Sequence, residues 1–357
     1  MSFFSKDLVS LVFLCPKTRI NGGYIFMKRF ISITLVFFIF ISTLTGCSKN
    51  ENTIASDKVS VVATIFPQYD FVREIAGEHV ELTMLLPPGS ESHSFEPTPK
   101  DIAKIQDCDM FIYVGGESDS WIKGILESID TSKMKIISLM DTVDVVEEEI
   151  VEGMENDHGH DHDDDHNHDD DHDHDDDHHE ESEYDEHVWT SPRNTKVIVQ
   201  AISEVLCDID KDNSSIYRQN TESYVTKLDE LNTDFKNTVD AGVRKTIVFG
   251  DRFPFRYFAD EYGLDYFAAF PGCSTETEPS AATVAFLIDK VKTENIPVVF
   301  HIELSNEKMA DTICEATGAK KLLLHACHNI AKSDFEKGIS YLDLMTANLE
   351  AIKEALK

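Results

Sequence analysis

Between Asp157 and Pro192 the chain concentrates residues that bind metal. Nine histidines, His158, His160, His162, His166, His168, His172, His174, His178 and His179, are set among aspartates in the run 157–179. Imidazole nitrogen suits zinc, copper, nickel and iron, and carboxylate oxygen suits harder ions, so the run offers a mixed-ligand surface for divalent metal. It has nothing apolar to bury and is expected to be a disordered loop, because no burial offsets the entropy of ordering it. An acidic, solvated spacer is the plainer reading of the same composition. Directly behind it comes Asp185-Glu186-His187-Val188-Trp189-Thr190-Ser191-Pro192, where one histidine follows two acids and precedes an apolar turn.

The 357 residues, 41% of them hydrophobic, are enough for two domains with cores of their own. A formal charge of -34 argues against nucleic acid as a partner and makes cations the natural ligands. Near the N-terminus Lys28-Arg29 precedes the apolar run Ile31 to Ile41, and small residues lead into Leu44-Thr45-Gly46-Cys47. That pattern is an export signal ending in a lipobox, over 27–46, with Cys47 expected to carry the lipid. A membrane span is the alternative, but the run is shorter than the ~20 residues a span requires. Met27 is the expected start, and 1–26 an upstream artefact. Seven cysteines are present. With Cys15 and Cys47 set aside an odd number remains, so at least one thiol is unpaired; Cys273 with Cys314 or Cys327 is the candidate disulfide.

The elements that must position such groups follow a strand and helix rhythm. After a tether over 47–58, apolar runs at 59–66, 80–86, 109–114 and 135–139 read as strands, with helices between them. Beyond Pro192 come a helix to about Ile209 and a second from Ser214 to about Val239. The second has few breakers, and its roughly 26 residues reach about 39 Å, enough to pass both lobes as a stiff spine. The rhythm then restarts with strands at 245–249, 264–270, 297–302 and 321–324, helices near 253–262, 280–293 and 306–317, and a last helix at 341–356. The expected architecture is α/β: an N-terminal parallel-sheet lobe over 59–192, linking helices over 193–243, and a second such lobe over 244–357, with a metal site in the cleft.

Ligands of parallel sheets collect beyond the carboxyl ends of the strands. His93 lies in the loop after the second strand, Asp251 follows the first strand of the C-terminal lobe, and His325 ends its last. His187 stands before the spine. Two residues from each lobe form the closed, four-coordinate arrangement of a binding site rather than a catalytic one.

These residues resemble the zinc and manganese solute-binding proteins of bacterial ABC transporters over nearly all of Val59 to Lys357. In that family a histidine before a Pro-x-Pro phrase is the first ligand, matched by His93 ahead of Glu96-Pro97-Thr98-Pro99. The histidine of an acidic phrase before Trp and Ser-Pro is the second, matched by His187. The resemblance implies a lipid-anchored monomer outside the cytoplasm that captures Zn²⁺ and gives it to a permease, without chemistry of its own. It also implies a histidine-rich loop ahead of the second ligand and a long helix between the lobes.

The C-terminal lobe departs from the family pattern. Where the family places His or Glu, the chain reads Gly250-Asp251-Arg252-Phe253, and an ungapped count lands on Arg252. Arginine keeps its proton and repels cations, so Asp251 is the more physical ligand. The family's last ligand is an aspartate; here Leu324-His325-Ala326-Cys327-His328-Asn329 offers His325, with Cys327 and His328 as substitutes. Glu303 is a ligand, an orienting partner, or an ion-pair partner of Arg252 or Arg256. Histidine dominance favours zinc, with manganese or iron as the alternative cargo. An exported zinc hydrolase would need an open coordination position and a base. Glu186 is the candidate base, and no His-Glu-x-x-His phrase is present.

Overall fold

The computed structural model describes residues 58–91, 95–154, 184–274 and 278–357. The segment 1–26, the export signal, Cys47, the tether as far as residue 57, His93 and the histidine-rich run 157–179 lie outside the described residues. Ser56–Lys357 forms one compact unit that carries two parallel sheets.

In the first sheet the strands are β1 (Ser60–Ala63), β2 (Glu81–Met84), β3 (Met110–Tyr113) and β4 (Lys135–Ser138), in the order β2-β1-β3-β4. In the second they are β5 (Thr246–Phe249), β7 (Asp265–Phe267), β9 (Val298–His301) and β10 (Lys320–Leu323), in the order β10-β9-β5-β7. All of these ladders are parallel. The chain leaves β1 toward one side and returns to pair β3 on the other, and it does the same around β5 and β9. At each such reversal the strand-end loops diverge and leave a crevice, and both crevices belong to the carboxyl ends of the strands.

The short strands and long runs of buried Val, Ile and Phe follow from sheets covered on both faces. The run at 59–66 ends as a strand at Ala63, because Phe66 and Pro67 open helix α1 (Phe66–Ala76), where proline's missing N–H costs nothing. Helix α2 (Pro99–Asp107) starts in the same way, with Thr98 and Asp101 forming a reciprocal capping box. Helix α3 (Ser120–Ser128) leads to β4. In the C-terminal lobe the expected strand 264–270 is broken. Only β7 joins the sheet, while β8 (Phe270–Pro271) pairs with β6 (Arg252–Phe253) in a separate two-stranded ladder. Pro254 then delays helix α6 to Arg256–Tyr262.

Between the lobes run α4 (Pro192–Ile209) and the spine α5 (Ser214–Ala241). The 28 residues of α5 contain neither Gly nor Pro, and at 1.5 Å per residue they reach about 42 Å. Tyr217, Thr221, Tyr224, Leu228, Leu231, Phe235 and Val239 recur every three or four residues and form its buried stripe. Near its start Asn220 donates to the carbonyl of Ile75 in α1 at 2.9 Å; further along, Asn232 accepts from Tyr262 of α6 at 2.7 Å. One helix thus packs against both lobes. Beyond α7 (Ala281–Thr293), α8 (Lys308–Thr317) and the unforeseen short helix α9 (Lys332–Glu336), helix α10 (Tyr341–Ala355) crosses back to the first lobe. The largest apolar core is continuous from Val61 and Phe71 through Trp189 and Tyr224 to Phe249, Phe300 and Tyr341.

The crossing is fastened by Asp70, whose buried carboxylate accepts from the Tyr341 N–H at 2.7 Å and faces Arg73 at 2.5 Å. Burial pushes this carboxyl up to about 7, outweighing the pull of Arg73. Between the ordinary aspartate value and that point the folded protein holds a proton the unfolded chain has lost. Stability therefore falls as pH rises through this window. Asp70→Asn retains an oxygen for Tyr341 and removes the charge. Its unfolding free energy should be flatter with pH between about 4 and 7 than wild type's, the slopes differing by up to about 1.4 kcal/mol per pH unit. Parallel urea-denaturation curves for the two proteins across this range would contradict the assignment.

Candidate metal centre

His187 sits where the extended segment ending at Glu186 turns into a short 3₁₀ stretch, Val188–Thr190, ahead of α4. Ser191 caps α4 by accepting from Asn194 N–H at 3.1 Å, with Pro192 at the first helical position, so the turn before it is tightly specified. The His187 ring is buried, 1% exposed. One oxygen of Asp185 accepts from the His187 N–H at 2.8 Å and lies 3.2 Å from Nδ1. This pairing fixes the ring and gives Nδ1 a carboxylate partner, the arrangement in which a histidine coordinates through Nε2. Burial pulls the imidazole pKa down, but Asp185, Glu186 and Glu148 outweigh it and the net shift is upward.

Although His187 belongs in sequence to the first lobe, it is held by the second. Tyr257 of α6 donates to the Asp185 carbonyl at 2.6 Å, and Tyr341 of α10 donates to the Trp189 carbonyl at 2.7 Å. Trp189 is fully buried, and its Nε1–H donates to the Ala326 carbonyl at 2.8 Å, beyond the end of β10. Its ring lies 5.4 Å from His187 and 5.1 Å from His328, centroid to centroid, and the two imidazoles are 5.2 Å apart.

The loop carrying His328 is tied from both lobes. Glu303, just past β9, accepts from Ala326 N–H at 2.6 Å and from His328 N–H at 2.9 Å. Asn329 donates to the carbonyls of Pro87 at 2.9 Å and Ser90 at 2.7 Å, and Gly89 N–H to Ile330 at 2.8 Å. These bonds bring the 87–91 segment, which leads to His93, against the His328 loop. A small cavity of about 20 Å³ lies at the junction, and Ser90, Glu91, His187, Arg252, Glu303 and His328 are among its walls.

Of the expected ligands inside the described residues, His187 lines this cavity and Asp251 and His325 do not. Asp251 is absent from these walls. One carboxylate oxygen accepts from Arg252 N–H at 2.9 Å and the other from Ile302 N–H at 3.3 Å, so it braces the ends of β5 and β9. Burial pushes this carboxyl upward. His325 is likewise absent from these walls, with its Nδ1 3.6 Å from Glu303 Oε2. Its backbone is clamped by Asn348, and its Nδ1 accepts from Cys327 N–H at 3.0 Å, which assigns the ring proton to Nε2. Cys327 is fully buried, and burial holds its thiol far above the ordinary range, in its protonated form. The expected ion pairs of Glu303 with Arg252 or Arg256 do not form, because both its oxygens serve the backbone. Arg252 pairs with Glu91, and Arg256 with Glu149 and Asp260. Glu186, the candidate base, accepts from Ser118 N–H at 2.9 Å. Cys108, Cys207, Cys273, Cys314 and Cys327 are all free, so the candidate disulfide is absent.

Of the histidines at the end of the last strand, His328 and not His325 lines the cavity, and sequence reasoning missed Trp189 and Asn329 as organisers of the loops around it. Among the described residues no three His, Cys, Asp or Glu side chains are placed to hold a metal. His93 lies outside the described residues and follows Glu91, which lines the same cavity as His187 and His328, by two positions in the chain.

The fold is that of a two-lobed protein of parallel sheets with a cavity where the strand-end loops of the lobes meet. The comparisons place it more closely. Residues 61–355 match the family model described as "Zinc-uptake complex component A periplasmic", and the chain belongs to that family. It is 32% identical over 324 residues to the high-affinity zinc uptake system protein ZnuA of Bacillus subtilis, covering 91% of this chain and 96% of that one. It is 30% identical to the zinc-binding lipoprotein AdcA of Streptococcus pneumoniae over 87% of this chain, which spans 58% of that longer protein. Among solved structures, the metal-dependent lipoprotein YcdH of Bacillus subtilis superposes with a TM-score of 0.68 at 29% identity, over 84% of this chain and 100% of that one. The Zn(II)-bound ZnuA-like domain of the pneumococcal AdcA gives 0.66 at 27% identity, over 84% and 99%.

Trp189→Phe keeps an aromatic ring but removes the N–H donor and part of the buried volume, leaving the Ala326 carbonyl without its indole partner. Unfolding in urea should show a loss of about 1–3 kcal/mol. A variant as stable as wild type would show that the indole N–H does not fasten the lobes.

Proposed function

We propose that this chain captures Zn²⁺ outside the cytoplasm in the cleft between its lobes and delivers it to the permease of an ABC importer. Cys47 carries the lipid that keeps it at the membrane. The ligands are His93, His187 and His328, while Asp251 and His325 are structural. The observation that carries this reading is the 5.2 Å between the His187 and His328 ring centroids. Two imidazoles on one tetrahedral zinc, with Zn–N near 2.0–2.1 Å, place their centroids about 5 Å apart. The cleft therefore needs little rearrangement to accept the ion. Asp185 orients His187 and Glu303 holds the His328 loop, the supporting roles carboxylates take around metal-bound histidines. A set of imidazoles suits zinc better than manganese, which prefers oxygen.

The histidine run 157–179 is read as a reservoir that raises the zinc concentration near the cleft. Its nine histidines offer many weak sites, whereas the cleft offers one tight one. Nothing in the proposed set supplies turnover: the bound ion is cargo.

Competition titration of zinc against a high-affinity chelator separates the two kinds of site. His328→Ala should lose the single tight equivalent, with affinity falling by at least a hundredfold, while His325→Ala keeps it. Deleting 157–182 should remove weak binding and leave the tight equivalent. Tight binding that survives His328→Ala and disappears with His325→Ala would overturn the ligand assignment, and tighter binding of manganese than of zinc would reassign the cargo.

A further inference from the structure

The cleft contains a permanent cation of its own. Arg252 has a side chain only 11% exposed and lines the same cavity as His187, Glu303 and His328. Its Nη1 donates to the Ser274 carbonyl at 3.1 Å, and its Nη2 donates across the lobes to Glu91 Oε1 at 3.4 Å. A guanidinium does not lose its proton in a protein, so this charge is present at every working pH. A buried charge needs compensation. Two carboxylates line this cavity, and they differ in what they are free to do. Glu303 binds the backbone of Ala326 and His328 with its two oxygens, and one of them also lies 3.6 Å from His325 Nδ1. Glu91, 43% exposed, is the residue that faces the guanidinium.

We propose that Arg252 and Glu91 are an affinity-setting charge pair for the metal in this cleft, neither of them a ligand. Arg252 repels an arriving dication and keeps the site weak enough to give its cargo up. Glu91 offsets that repulsion and keeps the site strong enough to fill. Arg252 is nearly buried, so its charge is screened less than a surface charge and acts on a divalent ion within the cavity it lines. The inference rests on the zinc reading above and adds to it. It makes the release of metal depend on a residue whose chemistry opposes binding.

The two members of the pair have opposite expected effects, which separates this idea from a purely structural clasp. A clasp broken from either side loosens the site. A charge pair does not: Arg252→Met should tighten zinc binding, and Glu91→Gln should weaken it, each by a factor on the order of ten. The double variant should fall between the singles. Because the effect acts on charge and not on coordination, manganese should shift by the same factor as zinc in each variant. All factors should shrink as salt is raised.

The measurement is competition titration of zinc and of manganese against a chelator, on the intact chain with each substitution, with thermal melts of the metal-free proteins alongside. If Arg252→Met does not fold, Arg252→Gln carries the same loss of charge, and Glu91→Gln alters a half-exposed side chain while keeping an amide oxygen that can still accept from Arg252. Weaker zinc binding in both single variants, or no change when the arginine charge is removed, would overturn the proposal. Loss of the tight site in His187→Ala together with an unchanged Arg252→Met would refute the charge pair and leave the zinc reading standing. Absence of any tight zinc site in the wild-type chain would refute both.

Discussion

The Nε1–H of Trp189 reaches the Ala326 carbonyl at 2.8 Å through a fully buried interface, and the geometry of the cleft depends on that bond. It joins the segment that precedes α4 to the loop that follows β10, which are 137 residues apart in the chain. The same indole packs against the rings of both His187 and His328. Its carbonyl is held in turn by Tyr341 and Thr195, so the tryptophan cannot move without dragging α4 and α10 with it. A buried polar network of this kind rigidifies because each broken member would leave an unsatisfied partner in a low-dielectric interior.

Rigidity suits the task. A metal-binding cleft discriminates by fixed distances, and small errors in the supporting residues cost affinity. The spine α5 and the continuous core give both lobes a common foundation, while the strand ends supply the variable loops. Asp251 and Glu303 illustrate how the carboxylates near the cleft divide their work. Both brace backbone N–H groups at strand ends, and only Glu303 also lines the cavity. The hydrogen bonds of Asn329 and Gly89 complete the arrangement by tying the loops of the two lobes directly to each other.

Much of this was legible in the sequence. Apolar runs of four to eight residues alternating with helical periodicity gave the two parallel sheets, and the stripe from Tyr217 to Val239 gave the spine, because burial imposes those periods directly. His187 stood out because an acidic phrase, a tryptophan and a proline-started helix surround it. The C-terminal lobe was less readable. At the end of β5 one residue of register decides whether Asp251 or Arg252 faces the cleft, and period-2 alternation cannot choose without knowing where pairing stops. At the end of β10 the decision rests on Cys327, which takes a left-handed backbone with φ of 59°. That turn carries the chain past His325 and presents His328, and a cysteine at such a position leaves no signal of the kind glycine or asparagine leaves. The weak pairing of β6 with β8 was invisible for a similar reason, since two-residue strands have no period.

The most direct test of the central claim is an anomalous-difference map at the zinc absorption edge from crystals of the zinc-loaded protein. The account predicts one strong peak within bonding distance of His187 Nε2 and of a ring nitrogen of His328, beside the cavity walls formed by Ser90 and Glu303. A principal peak coordinated by His325 or Asp251, or no ordered peak between the lobes, would contradict it.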